Sequence, residues 1–393
     1  MPAVPPLEDP TPSEESVSVA AVQGGQRRLV GCIILSSALG TVHAWSLFLE
    51  SFEARLDVGR GPVSAIYSIA LVAITAAVLV GHRIFSRLSG WSVVLLSTGG
   101  AVAGLLLAAE ASSWWVLLVG YGLLFGLANG LGYAFALQRS AEALPRSTGS
   151  ALALVTAAYA LGSTTAAVLL DGPIENRGPG HGLRILALTV GLAGLVAATL
   201  VGTSRSAVND HRNRSSTGWR PVLRLWVAYG LAVLAGLMVL GHAAAIVDQA
   251  GGPGGATVAL AGFASAAGGA WMAWMGRGGH RCLMVGLPMV TAALLVVGGL
   301  ASNGTVAVGV VAGVAFAYGS VIAVYPAVVH DQFGVDGYPS AYGRMFTAWG
   351  VAGLVGPVGA GLLFEVADTY RLPMLLAAVA AACSGLMARR VVS

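Results

Sequence analysis

The chain contains no lysine: its 21 basic residues are all arginine. Charge of either sign is scarce, 10% of 393 residues, where a soluble protein carries about 25%. A water-soluble globular domain is excluded on that ground. Cysteine is nearly missing. Cys32, Cys282 and Cys383 lie far apart inside apolar runs and form no CxxC pair, so three reduced core side chains are expected and a disulfide scaffold is not. There is no HExxH, no GxxxxGK[ST], and no GxSxG with a plausible triad. An ATP-driven pump is thereby disfavoured, and an enzyme with it. No cofactor, metal ion or nucleic-acid partner is expected. Carboxylates are missing from the middle of every apolar run. Glu50, Glu110, Asp171, Asp248 and Glu365 all fall at the ends, where acids are usually just solvated.

What is present is hydrophobic: 56% of the residues, with a mean hydropathy of +0.79. A hydrocarbon core about 30 Å thick needs roughly 20 apolar residues per helix. On that scale twelve membrane segments are expected, at about 29–49, 62–82, 92–110, 114–138, 149–170, 182–202, 222–247, 255–275, 282–300, 305–328, 344–365 and 372–388. Residues 1–28, rich in Pro, Glu, Ser and Val, read as a disordered tail whose acidic start argues against a signal peptide. The polar break at 203–221 divides the chain into halves, 29–202 and 222–393, of six segments each. A weak internal echo supports two related halves: YGLLFGLANGLGY at 121–133 against GVAFAYGSVIAVY at 313–325. Arg55, Arg60, Arg177, Arg184 and Arg371 fall on one side, which leaves 16 of the 21 on the side of the termini. That bias predicts both termini in the cytoplasm.

One stretch organises the rest: Tyr342 to Pro357, YGRMFTAWGVAGLVGP. Ala348, Ala352, Gly356 and Ala360 recur every four residues, which puts a small face on one helix where a neighbour can approach closely. Gly350, Gly353, Gly356 and Pro357 are expected to serve packing or gating, with Arg344 at the helix start. Pro357 is expected to kink this helix, and Pro326 to break the one before it, ahead of a charged loop at His330-Asp331-Gln332-Phe333-Gly334.

DQFG at 331–334 followed by FTAWGVAGLVGP at 346–357, together with GTVHAWSLF at 40–48, resembles the oxalate/formate antiporter group of the major facilitator superfamily, the group related to monocarboxylate transporters. The resemblance implies an all-α membrane protein of two six-helix bundles. It implies a cavity lined by the first, fourth, seventh and tenth helices, and antiport or a related transport of a small organic anion. The departures from the group matter as much. In GHRIFSRLSGW at 81–91, Arg87 can take the arginine of the superfamily's second-to-third loop, but Ser86 stands where an aspartate is usual. The eighth segment holds no basic residue and the eleventh has only Arg344, with Trp349 roughly where a lysine would be expected. Oxalate therefore fits poorly, and a monoanion or a neutral compound fits better.

The remaining polar groups at membrane depth become the candidates for binding solute. His43 is the first, because a histidine can donate to a carboxylate and titrates near neutral pH. His242 is its rough counterpart in the seventh segment. Tyr121, Phe125, Asn129 and Tyr133 form a stripe at four-residue spacing, and Tyr318 and Tyr325 another at seven; Asn129, Tyr133, Tyr318 and Tyr325 are candidates. Trp274 and Trp349 complete the wall. The reading is a monomeric secondary transporter of the plasma membrane for a monocarboxylate or similar solute, with a proton or counter-substrate as coupling partner. The alternatives are an efflux carrier for a hydrophobic compound and a non-transporting membrane sensor.

Overall fold

The computed structural model describes residues 14–85, 87–144, 148–170, 172–203, 218–275 and 280–392, with side chains except at 14–23, 82–83, 148–149, 273–275, 335–340 and 391–392. Expectations for residues 1–13, for most of the break at 203–221 and for the side chain of Trp274 lie outside the described residues.

Long apolar segments can satisfy their backbone in a bilayer only as helices or closed barrels, and helices form. Helix α1 is α-helical over Glu14–Leu39, tightens to a 3-10 helix over Gly40–Phe48 and resumes over Leu49–Leu56. Then come α2 (Arg60–Phe85), α3 (Gly90–Ala109), α4 (Trp114–Ala143), α5 (Thr148–Leu170) and α6 (Pro179–Val201). The second half holds α7 (Trp219–Gly241, continued after His242 by Ala243–Gln249), α8 (Gly254–Met275), α9 (His280–Leu300), α10 (Gly304–Gly334), α11 (Ala341–Ala367) and α12 (Arg371–Val392). Among the described residues, 11 of these helices are long and apolar enough to cross a membrane. Helix α8 is diluted by its glycines and alanines.

Two local expectations are corrected. Helix α1 begins at Glu14, inside the stretch expected to be a disordered tail. Pro326 does not end α10, which runs through the expected charged loop to Gly334. The chain turns there because Gly334 adopts φ 65°, a conformation open to glycine and strained for other residues. At Pro357, whose ring lies against Gly241 of α7, α11 continues as a helix, since a bundle tolerates the lost hydrogen bond.

Small residues decide which helices touch. A Cβ on Gly104 of α3 would lie 2.7 Å from Gly120 O of α4, and one on Gly319 of α10 only 1.9 Å from Ser265 O of α8. These are backbone-to-backbone contacts that only glycine permits. Between the bundles α2 packs on α11 and α5 on α8. Gly350 and Gly353 of α11 face Thr75 and Leu71 of α2, and Gly262 of α8 faces Ser163 and Thr164 of α5. Outside, Leu188, Leu192 and Leu195 of α6 and Val366 of α11 are exposed to lipid. Trp91, Trp115 and Trp219 are exposed at helix starts, the depth where indole rings favour the interface.

The small stripe of α11 is buried as expected, and it looks into its own bundle. Ala348 meets Gly230 of α7, and a Cβ on Gly356 would lie 3.0 Å from Leu234 O and 3.4 Å from Met238 N of α7. Gly356→Leu should therefore push α11 off α7. Overpacking of this kind costs about 1–3 kcal/mol or more, so a lowered melting temperature of the solubilised protein is expected; an unchanged one would mean that this contact is loose.

Candidate functional site

A small cavity of about 70 Å³ lies between the bundles. It is lined by α1, α2, α4 and α5 from the first half and by α7, α8, α10 and α11 from the second. Its lining reaches Thr156, Tyr342 and Phe346, near the starts of α5 and α11, toward the end of the molecule that carries the termini. No Asp, Glu or Arg is among the described lining residues.

The first-half wall is assembled around α1. Where α1 tightens at Gly40, carbonyls lose their usual partners, and α4 supplies new ones. Asn129 Nδ2 donates to Leu39 O at 2.6 Å, and Tyr121 Oη donates to Val42 O at 3.1 Å. Asn129 Oδ1 accepts from Tyr159 Oη of α5 at 2.8 Å. Tyr159 lies 4.4 Å from Tyr133 and 5.5 Å from His43, ring centre to ring centre. His43 lines the cavity, and its Nδ1 pairs with Tyr67 Oη of α2 at 2.7 Å. Backbone contact holds this wall tight, for a Cβ on Gly40 would lie 1.7 Å from Tyr159 O.

The second-half wall is aromatic. Trp349 Nε1 donates to Tyr318 Oη at 2.9 Å, and the Phe346 ring stacks on Trp349 at 5.6 Å and 7°. The acceptor bond leaves the Tyr318 hydroxyl proton available to a bound molecule.

Of the expected site residues, the structure brings His43, Tyr133, Tyr318 and Trp349 together around the cavity. Asn129 is fully buried beneath the wall and positions Tyr159 and α1. Tyr325 is fully buried against Tyr229, 5.0 Å away, and is not a lining residue. His242 is fully buried outside the cavity. Arg87 is exposed between α2 and α3, and Arg344 lies 5.8 Å from the ring of Trp219. The stripe on α4 was legible, but its direction was not. Residues Leu118–Phe125 form a π-helix, the kind of local rewinding often found at functional sites. Tyr121, Phe125 and Asn129 are buried, Tyr121 and Asn129 on α1, and of the four only Tyr133 reaches the cavity.

At the end opposite the termini the bundles are closed by a network that sequence reasoning missed. Arg60, at the start of α2, is buried and charged. Its Nε and Nη2 donate to the Glu53 carboxylate at 2.6 and 2.9 Å, and Nη1 donates to Tyr370 Oη of the other half at 3.1 Å. The guanidinium also sits 4.2 Å over the Phe364 ring, a cation–π contact worth about 2 kcal/mol when desolvated. Gly61 N donates to Glu365 of α11 at 2.8 Å, so that exposed acid also bridges the bundles. His242 joins the same closure through Tyr370, Pro357 and Ser64. The signal for Arg60 was faint: an arginine between two glycines at a helix start, with Glu53 seven and Glu50 ten residues before it. No group of three or more His, Cys, Asp or Glu placed to hold a metal ion occurs among the described residues.

No family model matches the chain. It is 25% identical over 345 residues to an uncharacterized MFS-type transporter, YhjX of Escherichia coli, over 83% of this chain and 85% of that protein. The crystal structure of a mutant of the nucleoside transporter NupG superposes with a TM-score of 0.72 over 93% of this chain and 99% of that one, at 14% identity. At that identity the likeness is one of fold. The architecture is the major facilitator fold, twelve long helices in two six-helix bundles, 11 of them long and apolar enough to cross a membrane among the described residues.

Proposed function

We propose that this protein is a secondary transporter that moves a small organic solute across the cell membrane by alternating access. The observation that carries the reading is the cavity between two bundles, with lining that extends toward the termini and contacts between the halves at the opposite end. The arginine bias supports a cytoplasmic position for the termini, and so for the end of the cavity nearest them. Rocking the bundles about the α2–α11 and α5–α8 contacts would expose the same wall to the other side.

The lining limits the solute. A second carboxylate without a cationic partner would be buried at a cost of several kcal/mol. A solute with one carboxyl group, or none, can instead use the Tyr318 hydroxyl and His43 while its apolar part lies on Trp349 and Tyr133. A short monocarboxylate is the solute class proposed, with a monomer as the working unit and a proton or counter-substrate as coupling partner. The second reading, export of an uncharged hydrophobic compound, is favoured by the same lack of charge in the lining.

The test is counterflow in proteoliposomes with labelled monocarboxylates, oxalate and uncharged aromatic solutes. Saturable exchange of a monocarboxylate is expected, with oxalate at least ~100-fold slower, as the burial cost of one unpaired carboxylate requires. His43→Ala should weaken monocarboxylate exchange about 10-fold, the value of one hydrogen bond to a charged group, and His43→Gln should retain more of it. Fast oxalate exchange would contradict the argument from lining charge. Exchange of uncharged solutes alone would move the assignment to the second reading.

A further inference from the structure

His242 stands at the junction of the closure and at a break in its own helix. It is fully buried, and it separates Trp219–Gly241 from Ala243–Gln249. Its Nε2 is 2.9 Å from Pro357 O of α11, and 3.4 Å from Ser64 Oγ of α2. Its Nδ1 is 2.8 Å from Tyr370 Oη at the start of α12. A carbonyl only accepts, so the proton of the neutral ring is on Nε2. Nδ1 is then the acceptor, Tyr370 Oη donates to it, and the same Tyr370 oxygen accepts from Arg60 Nη1 at 3.1 Å. Each group in the chain Arg60–Tyr370–His242–Pro357 then donates to the next. The chain ties α2 to α12, α7 and α11, and so ties the first bundle to the second.

We propose that His242 is the proton-binding site that releases this closure, so that adding one proton there opens the cavity to the side opposite the termini. A proton taken from water onto Nδ1 makes both ring nitrogens donors. The Tyr370 oxygen would then face two donors, the imidazolium and Arg60, and its own hydroxyl proton would lose its acceptor. Two positive charges would share one phenolic oxygen. The carboxylates do not relieve this. Glu53 is engaged with Arg60, Glu50 reaches only Arg60 at 3.4 Å, and Glu365 is turned to Gly61 N. Tyr67, which borders Gly241, is paired with His43. Separation of the bundles lets water reach both cations and removes the conflict. No carboxylate at mid-membrane is needed for proton coupling by this route.

The proposal names the coupling ion for the transport reading and rests on that reading only for its physiological use. Its test needs no solute. In full-length protein with Cys32, Cys282 and Cys383 replaced by alanine, spin labels at Ala54 and Val366, both exposed near the closed end, report the gap in lipid nanodiscs. The long-distance population is expected to grow as pH falls from about 8 to about 4, a window that runs below the ordinary histidine range because a desolvated ring beside a guanidinium takes up its proton late. His242→Gln can donate to Pro357 O and accept from Tyr370 without titrating, so it should hold the short distance at both pH values. Tyr370→Phe cuts the chain and should show the long distance at both. A wild-type gap that ignores pH, or a His242→Gln gap that follows pH as the wild type does, would overturn the proposal. A pH-dependent gap in a protein that exchanges no solute would leave His242 as the proton site and remove the solute assignment instead.

Discussion

Gly40→Ala is expected to prevent normal packing of the first bundle. The added methyl carbon would lie 1.7 Å from Tyr159 O and 2.6 Å from Tyr159 C, both backbone atoms that cannot swing aside. The partner helix is no more forgiving: a Cβ on Gly162 would meet Ser37 O at 2.3 Å and Gly40 C at 2.4 Å. Helices α1 and α5 thus touch backbone to backbone, and one methyl must drive them apart. Their separation also strains the bonds from Asn129 to Leu39 O and from Tyr159 to Asn129, which fix the 3-10 segment and the cavity wall. The loss exceeds the ~1–3 kcal/mol typical of overpacking, where side chains can yield. Thermal unfolding in detergent should show the midpoint lowered by at least ~5 °C, or an aggregate on size exclusion. Gly309→Ala is the control, since no heavy atom lies within 4 Å of a Cβ there, and it should behave as wild type. A Gly40→Ala protein with the wild-type midpoint would mean that α1 and α5 do not pack this closely.

The contrast between Gly40 and Arg60 shows what one sequence can and cannot disclose. Helix number was legible because a bilayer of fixed thickness imposes segment length. The small stripe of α11 was legible because four-residue spacing maps onto one helix face whatever the partner. Which partner it meets was not, and α11 turns one glycine set to α7 and another to α2. Arg60 read as one of five arginines on the poorer side, a contribution to orientation alone. Its burial depends on Phe364 and Tyr370, about three hundred residues away, and no local pattern announces such a pair. His242 was chosen as a counterpart of His43, but α7 breaks at His242 itself and places the ring in the closure. Asn129 was chosen from a stripe that would face the cavity, yet it is buried in hydrogen bonds to α1 and α5.

Locking the closed end is the other large effect expected, and it tests alternating access most directly. A Cβ on Gly61 of α2 would lie 2.6 Å from Leu362 Cδ2 and 3.1 Å from Leu362 Cγ of α11, close enough for a disulfide between the two positions after a small adjustment. In a background without the native cysteines, Gly61→Cys with Leu362→Cys should cross-link on mild oxidation. Counterflow in proteoliposomes should then fall to the protein-free background and return on reduction, while each single variant ignores the oxidant. A cross-linked protein that exchanges solute at its reduced rate would contradict the account, because the bundles would not need to part at this end for the cavity to reach the other side.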